Sequence, residues 1–215
     1  MSSAADKKTK RSVIRELTDL GPVILDRSFS KEEFMDLADR YPDLQLEREK
    51  SGKIIVMTPV KAGSGRRESI VSFHLNLWNY QTKKGETFSA STGIELPDGS
   101  IKSPDCAWVS AEKFNQLSPR EIEEEFLQLV PDFVTEVRSK SDSLSRLKRK
   151  MTDAWIKNGV RLAWLIDPFQ EKAYIYREDG TMELVEGFSG KKLSGEEVLP
   201  GMELPLEELT VAGKG

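Results

Sequence analysis

The sequence is poor in the two residues that most often bind transition metals in proteins. It has one cysteine, Cys106, and one histidine, His74, among 215 residues. A single cysteine excludes an intramolecular disulfide and a multi-cysteine zinc site, and a single histidine excludes a histidine-based metal cluster. A serine or cysteine triad, which needs a histidine base, is disfavoured for the same reason. Catalysis by this chain would therefore fall to carboxylates, lysines and arginines.

Long hydrophobic runs are also missing. The run IIVM at 54–57 is far shorter than the about 20 apolar residues that span a bilayer. The start, MSSAADKKTKR, is polar and basic and carries no apolar signal core. We therefore expect a cytoplasmic protein with no membrane partner. The length predicts one domain over 29–208, between a flexible segment at 1–28 and a short tail at 209–215.

Charge is distributed unevenly along the chain. The net charge is −4 and the isoelectric point is near 5.3, which by itself disfavours a nucleic-acid partner. Between Arg138 and Arg161, however, eight cations stand against two acids, and between Glu178 and Glu208 nine acids stand against two lysines. The positive band is compatible with local phosphate binding.

Several helices are predicted from capping residues and apolar spacing. Capping boxes that begin at Ser30 and Ser118 mark two helix starts. Two longer helices are predicted over 63–85 and 141–158. The first of these has an apolar stripe formed by Ile70, Phe73, Leu77 and Trp78.

The strand pattern predicts a mixed sheet. Hairpins are predicted at 44–58 and 172–186, and short strands at 86–109. Between 132 and 167 a strand, a basic helix and a continuous apolar strand follow one another. This order is a βαβ unit, in which the two strands are parallel. The sequence therefore predicts an α/β fold with a central mixed β-sheet flanked by helices.

The segment PDFVTEVRSK at 131–140 contains two acids, Asp132 and Glu136. Its β-branched and aromatic residues predict a strand. Four residues along a strand span roughly 13 Å, whereas carboxylates that share one Mg²⁺ must bring their oxygens within about 3 Å of each other. Asp132 and Glu136 therefore cannot bind the same ion, and Asp132 is predicted to mark the start of the strand.

A partner for Glu136 is available in the segment SPDCAWV at 103–109. Here, too, a proline and an aspartate precede a predicted strand. Neighbouring strands of a sheet lie ~4.8 Å apart, so a sheet can bring Asp105 beside Glu136. These two acids are the candidate carboxylate pair.

In these segments the sequence resembles the Uma-two family of endonuclease-like proteins, within the PD-(D/E)XK nuclease superfamily. The resemblance covers roughly residues 30–190. It is carried, in order, by GKIIVMTP at 52–59, STGIELPDGSIKSPDCAWV at 91–109, PDFVTEVRSKSDSL at 131–144 and GVRLAWLIDP at 159–168.

The resemblance implies a restriction endonuclease-like core, with added β-hairpins, that binds Mg²⁺ or Mn²⁺ and hydrolyses phosphodiester bonds of DNA. Asp105, Glu136 and the main-chain carbonyl of Val137 would be the metal ligands. Lys150, on the helix that follows, would be the catalytic lysine. A homodimer is expected, because two sites are the simplest way to cut both strands of a duplex.

The sequence departs from the superfamily pattern two residues after Glu136, where a lysine is usual and Arg138 stands instead. An arginine does not lose its proton and cannot act as a base, but it can bind phosphate. Arg138 and Lys148 are therefore predicted to bind substrate. Trp155 lies one residue further along than the aromatic of the family pattern.

Two further acids are candidates for the site. Glu68 lies in the predicted helix at 63–85, and Glu47 lies in the first hairpin. Either is a possible additional acid near the metal.

Other interpretations of the same residues stay open. Asp105 can be a turn residue after proline, and Glu136 can form a structural ion pair with Arg138 or with a cation of the basic helix. The chain could then be a catalytically inactive nucleic-acid-binding module, or a domain whose acidic C-terminal part binds another protein.

Overall fold

The computed structural model describes residues 23–211. These residues form two compact units, one made of 23–59 with 99–101 and one made of 60–98 with 102–211. The predicted flexible segment and tail lie in part, at 1–22 and 212–215, outside the described residues. Within the described residues, none of the helices is long and apolar enough to cross a membrane.

The first unit contains a small antiparallel sheet and one helix. Its elements are β1 (Val23–Leu25), α1 (Lys31–Arg40), β2 (Gln45–Arg48) and β3 (Ile54–Met57). Strand β3 pairs with both β1 and β2, which confirms the predicted first hairpin. The capping box of Ser30 is present. Gly52, in the hairpin turn, has a φ of +84°, a conformation that L side chains rarely adopt.

The second unit contains the remaining elements. Its helices are α2 (Ala62–Thr82), α3 (Ala111–Phe114), α4 (Pro119–Glu124) and α5 (Leu144–Arg149), and α5 continues as a π-turn (Lys150–Trp155) and a 3₁₀ turn (Ile156–Asn158). A last 3₁₀ turn spans Leu206–Leu209. Its strands are β4 (Gly85–Ser89), β5 (Ile94–Glu95), Lys102 of β6 (Ile101–Lys102), β7 (Cys106–Ser110), β8 (Phe133–Val137), β9 (Leu162–Asp167), β10 (Lys172–Arg177), β11 (Met182–Glu186), β12 (Lys192–Ser194) and β13 (Glu203–Pro205).

The second unit is built on a six-stranded sheet with the order β11-β10-β9-β8-β7-β4. Strands β8 and β9 are parallel and joined through α5, which confirms the predicted βαβ unit. The other neighbours in this sheet are antiparallel, and β10 with β11 forms the predicted second hairpin. The sheet is therefore mixed, as expected from the sequence.

Each face of this sheet packs against its own helix. Phe133 and Val137 of β8 lie in a cluster with α2 residues such as Leu75, which defines the α2 face. Val134 of β8 lies in a second cluster with Met151 and other residues of the helix after β8, which defines the α5 face. Because side chains alternate along a strand, Glu136 lies on the same face as Val134.

Two predicted helices differ from those observed. Of the stripe predicted in α2, Trp78 is buried, but Phe73 and Leu77 are exposed, at 60% and 41%. Val71 and Leu75 are buried in their place. Both sets of residues have helical spacing and are apolar, so periodicity alone could not choose between them. The helix predicted over 141–158 begins at Leu144 and changes from α to π and then to 3₁₀ geometry.

Candidate active site

The register of β7 and β8 brings the predicted carboxylates together. Cys106 pairs with Thr135 in this antiparallel pair. Continued by one residue, the register sets Asp105 directly opposite Glu136. Residues directly opposite each other have their side chains on the same face, with Cβ atoms about 4.5–5.5 Å apart. The structure therefore places the two acids side by side, at the end of two neighbouring strands.

Asp105 takes over a hydrogen bond where the β7–β8 ladder ends. The N–H of Val137 donates to Oδ2 of Asp105 over 2.6 Å. Pro104, opposite Val137 in the continued register, has no N–H. It cannot donate to the Val137 carbonyl, so the proline before Asp105 ends the ladder beside the two carboxylates.

Glu136 is held by two donors from the helix that follows β8. The residue is 5% exposed. Its Oε1 lies 2.7 Å from the ammonium of Lys150 and accepts a hydrogen bond of 3.0 Å from the indole N–H of Trp155. The Lys150 ammonium also donates to the carbonyl of Ser103 over 3.0 Å. Lys150 thus links Glu136 to the segment that carries Asp105.

Negative charge is in excess at this site. Burial, and then the charges of Glu136 and Glu68, raise the pKa of the Asp105 carboxyl well above its usual value, while the Val137 N–H and Lys150 act in the opposite direction. Burial also raises the pKa of Glu68, and the charges of Asp142 and Glu136 add to the effect. Burial and the neighbouring acids therefore disfavour the ionised forms of Asp105 and Glu68, whereas Glu136 is paired with Lys150 and Asp142 lies 3.7 Å from Arg146.

The charge of Glu68 acts on Asp105, so Glu68 lies near the pair, and its role as an additional acid stays a prediction. It lies in α2 and is half-buried. Glu47 lies in β2 of the first unit, where it is 3% exposed. A role for Glu47 at the site stays a prediction.

Asp132 has a structural environment that contrasts with that of Asp105. Its buried carboxylate accepts a hydrogen bond from the N–H of Ser110 over 2.8 Å and lies 2.9 Å from the ammonium of Lys113. Arg161 is a further cation at 3.8 Å. Asp132 directly precedes β8, so it lies at the strand entry as predicted, and the two cations compensate its charge.

Arg138 and Lys148, predicted to bind substrate, both have partners within the protein. The guanidinium of Arg138 lies 2.8 Å from the buried carboxylate of Asp167 and donates to the carbonyl of Asp142 over 3.2 Å. The ammonium of Lys148 lies 4.0 Å from the centre of the Tyr174 ring. These contacts give each residue a structural role, and their binding of substrate stays a prediction.

The donors present suit a hard divalent cation. Two carboxylates and a main-chain carbonyl are oxygen ligands of the kind that Mg²⁺ and Mn²⁺ prefer. Among residues 23–211, no group of three or more histidine, cysteine or acidic side chains is arranged to bind a metal. A metal here would accordingly rest on Asp105, Glu136 and the carbonyl of Val137, with Lys150 beside them.

Sequence reasoning missed three partners of the site: the indole of Trp155, the carbonyl of Ser103 and the carboxylate of Asp167. The spacing in the sequence argued against the first of them. Lys150 and Trp155 are five residues apart, and an α-helix does not bring residues at that spacing together. A main-chain acceptor such as that of Ser103 leaves no signal in residue identity.

A mixed sheet with helices on both faces, and a carboxylate pair at the end of two neighbouring strands, defines a restriction endonuclease-like α/β protein. The sequence model of the Uma2 family, described as "Putative restriction endonuclease", matches residues 31–207. The chain belongs to this family.

The fold is similar to that of a protein from Anabaena variabilis, whose crystal structure is described as that of a "putative nuclease belonging to DUF820". The TM-score is 0.70 at 20% sequence identity, over 84% of this chain and 97% of the other. No curated protein matches the chain. At this identity the structural likeness shows the fold.

Proposed function

We propose that this protein is a Mg²⁺-dependent endonuclease that hydrolyses phosphodiester bonds of DNA at the Asp105–Glu136 site. One observation carries the proposal: Glu136, which is buried, and Asp105, which is partly buried, lie opposite each other at the strand ends, with a lysine on Glu136. Membership in a family described as "Putative restriction endonuclease" supports the reaction class and DNA as the substrate.

Asp105, Glu136 and the carbonyl of Val137 would hold the ion, and Mn²⁺ would serve in place of Mg²⁺. When bound, such an ion promotes the ionisation of a water molecule and neutralises charge on the scissile phosphate. The raised pKa of Asp105 supports this assignment, because burial and then the charges of Glu136 and Glu68 disfavour its ionised form, and a bound cation would offset them.

Lys150 would act beside the ligands. Glu136 and the Ser103 carbonyl hold its ammonium at the site, so it brings a positive charge and a proton donor close to the reacting phosphate. Fixed donors aimed at developing charge are among the largest contributions to catalysis. Arg138 cannot fill this role, since it does not lose its proton and is paired with Asp167.

The proposal is tested by metal binding and DNA cleavage on the same variants. Mn²⁺ is titrated calorimetrically into the wild type, Asp105→Ala and Glu136→Ala, and each protein is then incubated with supercoiled plasmid and Mg²⁺. We expect the wild type to bind metal and nick DNA, and both variants to lose both properties. Asp153→Asn is the matched control, because it removes an exposed acid from the same helix region.

Other outcomes separate the alternative functions. DNA binding that weakens with salt, without metal uptake or cleavage, would indicate an inactive nucleic-acid-binding module. Neither DNA binding nor metal uptake would indicate a protein-interaction domain and overturn the proposal.

The proposal includes a homodimer, because two sites would let one assembly cut both strands. Light scattering of the purified protein is expected to give twice the mass of the chain, and linear plasmid should appear early in the reaction. A monomer mass with nicked circles alone would contradict this part of the proposal.

A further inference from the structure

Oε1 of Glu136 accepts from two donors, the Lys150 ammonium at 2.7 Å and the Trp155 indole N–H at 3.0 Å. A carboxylate oxygen has two lone pairs, so these donors account for both of them. The carboxylate cannot rotate without breaking one of these bonds. The two donors therefore fix the orientation of Glu136.

The helix geometry makes this arrangement possible. In an α-helix, residues five apart differ by about 140° around the axis, so Lys150 and Trp155 would face different directions. The segment from Lys150 to Trp155 is instead a π-turn, in which hydrogen bonds join residues five apart. The N–H of Ile156 donates back to the carbonyl of Met151, five residues before it. The π-turn begins at one donor and ends at the other.

We infer that Trp155 is a positioning residue for the metal-binding carboxylate, and that the π-turn serves to bring it and Lys150 to the same oxygen of Glu136. The inference rests on the proposed function, since the carboxylate that Trp155 orients is a proposed ligand. Partners of this kind typically change metal affinity by 10–100-fold when they are lost.

Burial alone does not account for the indole hydrogen bond. Trp155 and Trp164 are both 0% exposed. Within the part of the chain that the structure describes, the indole nitrogen of Trp164 has no hydrogen-bond partner. Of these two buried tryptophans, Trp164 thus has an indole N–H without an acceptor among the described residues, whereas the indole N–H of Trp155 donates to a carboxylate.

This contrast supplies a matched experiment. Trp155→Phe and Trp164→Phe make the same chemical change at equally buried positions, and only the first removes a donor from Glu136. Mn²⁺ titrations of both variants and the wild type give the metal affinities, with circular dichroism to check folding. We expect Trp155→Phe to bind Mn²⁺ about tenfold more weakly than the wild type, and the Mn²⁺ affinity of Trp164→Phe to change by less than about twofold.

A spectroscopic measurement on the wild type keeps the test independent of how the variants fold. The four indole N–H resonances are recorded by ¹⁵N-edited NMR during a Mg²⁺ titration. We expect the Trp155 signal to shift with metal, and to shift again in Glu136→Gln, while the Trp164 signal stays nearly constant.

The outcomes distinguish the inference from the proposed function. If the wild type binds metal but both phenylalanine variants weaken binding equally, or neither does, the positioning role is overturned while the proposed function stands. The positioning role is also overturned if the indole N–H resonance of Trp155 shifts neither on addition of metal nor in Glu136→Gln. A wild type that binds no metal overturns both.

Discussion

The two faces of the six-stranded sheet bury different chemistry, although the same strands supply both. On the α2 face, β8 contributes Phe133 and Val137 to a cluster of apolar side chains. On the α5 face, the same strand contributes Val134 and then Glu136, which meets Lys150. On the α2 face β8 contributes apolar packing, and on the α5 face it contributes a carboxylate paired with a lysine. Substitutions on the two faces are therefore expected to affect stability and function differently.

The physical reason lies in the cost of burying charge. Apolar burial stabilises a fold by roughly 25 cal/mol per Å² removed from water. Buried acids with too few cations have the opposite effect, because their ionised forms lose hydration. A site that disfavours the folded state in this way persists where a function needs it. The α5 face is therefore the face to test for function.

The largest effect is expected for Glu136→Gln, which removes the charge and keeps the shape of the side chain. We expect Mg²⁺-dependent plasmid nicking to fall by about 10³-fold or more, equivalent to roughly 4 kcal/mol in transition-state stabilisation. Single-turnover rates measure this loss. Unaltered nicking by a folded variant would remove Glu136 from the site.

A large effect of a different kind is expected for Leu75→Ala on the α2 face. Leu75 is 0% exposed, so the variant should lose about 2–5 kcal/mol of unfolding free energy in urea denaturation. Its cleavage rate per folded molecule should stay near that of the wild type.

Leu165→Ala is the counterpart on the α5 face, opposite Glu136 in the β8–β9 register. Leu165→Ala should lose comparable unfolding free energy and should also bind Mn²⁺ more weakly. Equal Mn²⁺ affinities of the two variants would contradict the idea that only the α5 face supports the metal site.

An intermediate effect is expected for Asp105→Asn in the absence of metal. The pKa of Asp105 is raised in the folded protein, so ionisation of this group disfavours folding as pH rises from about 3.9, the unfolded value, through the folded value. The amide carries no such penalty. At pH 7 the variant should be more stable than the wild type, an advantage that disappears below about pH 4.

Thermal unfolding in chelator over this pH range measures the difference. Addition of Mg²⁺ should raise the melting temperature of the wild type only. A variant less stable than the wild type at pH 7 would show that the Asp105 charge is already compensated.

The smallest effect is expected for Lys148→Ala. Its ammonium lies over the Tyr174 ring, so its loss should lower the unfolding free energy by about 0.5–1 kcal/mol. Arg149→Ala, an exposed neighbour, should change it by less than about 0.5 kcal/mol. If Lys148 instead binds DNA phosphate, the slope of log affinity against log salt will fall by about one in Lys148→Ala.

Much of the fold followed from local sequence signals. The capping boxes of α1 and α4, the hairpins, and the parallel pair β8–β9 all match the prediction. These features depend on residues close together in the chain, or on the handedness of a βαβ unit. The buried face of α2 followed only in part, because Phe73 and Leu77 are as apolar as Val71 and Leu75. Only packing against the sheet distinguishes the two sets.

The pairing of Asp105 with Glu136 was reached from strand geometry, since two acids four apart on one strand cannot meet and two neighbouring strands can bring acids together. Lys150 was assigned through the family pattern. The partner of Arg138 was not found, because Asp167 is 29 residues away in the chain and is brought near by the parallel register.

The sequence by itself determined the chemistry that is possible, because residue types fix the available donors: one cysteine and one histidine leave carboxylates and a lysine as the reactive groups. It also indicated the capped helices, the two hairpins and the βαβ unit. Only the tertiary structure decided which oxygen of Glu136 receives Lys150 and Trp155, and that a π-turn brings them there. A helix changes its period only where packing compensates for the altered hydrogen bonds, and that packing joins segments far apart in the chain.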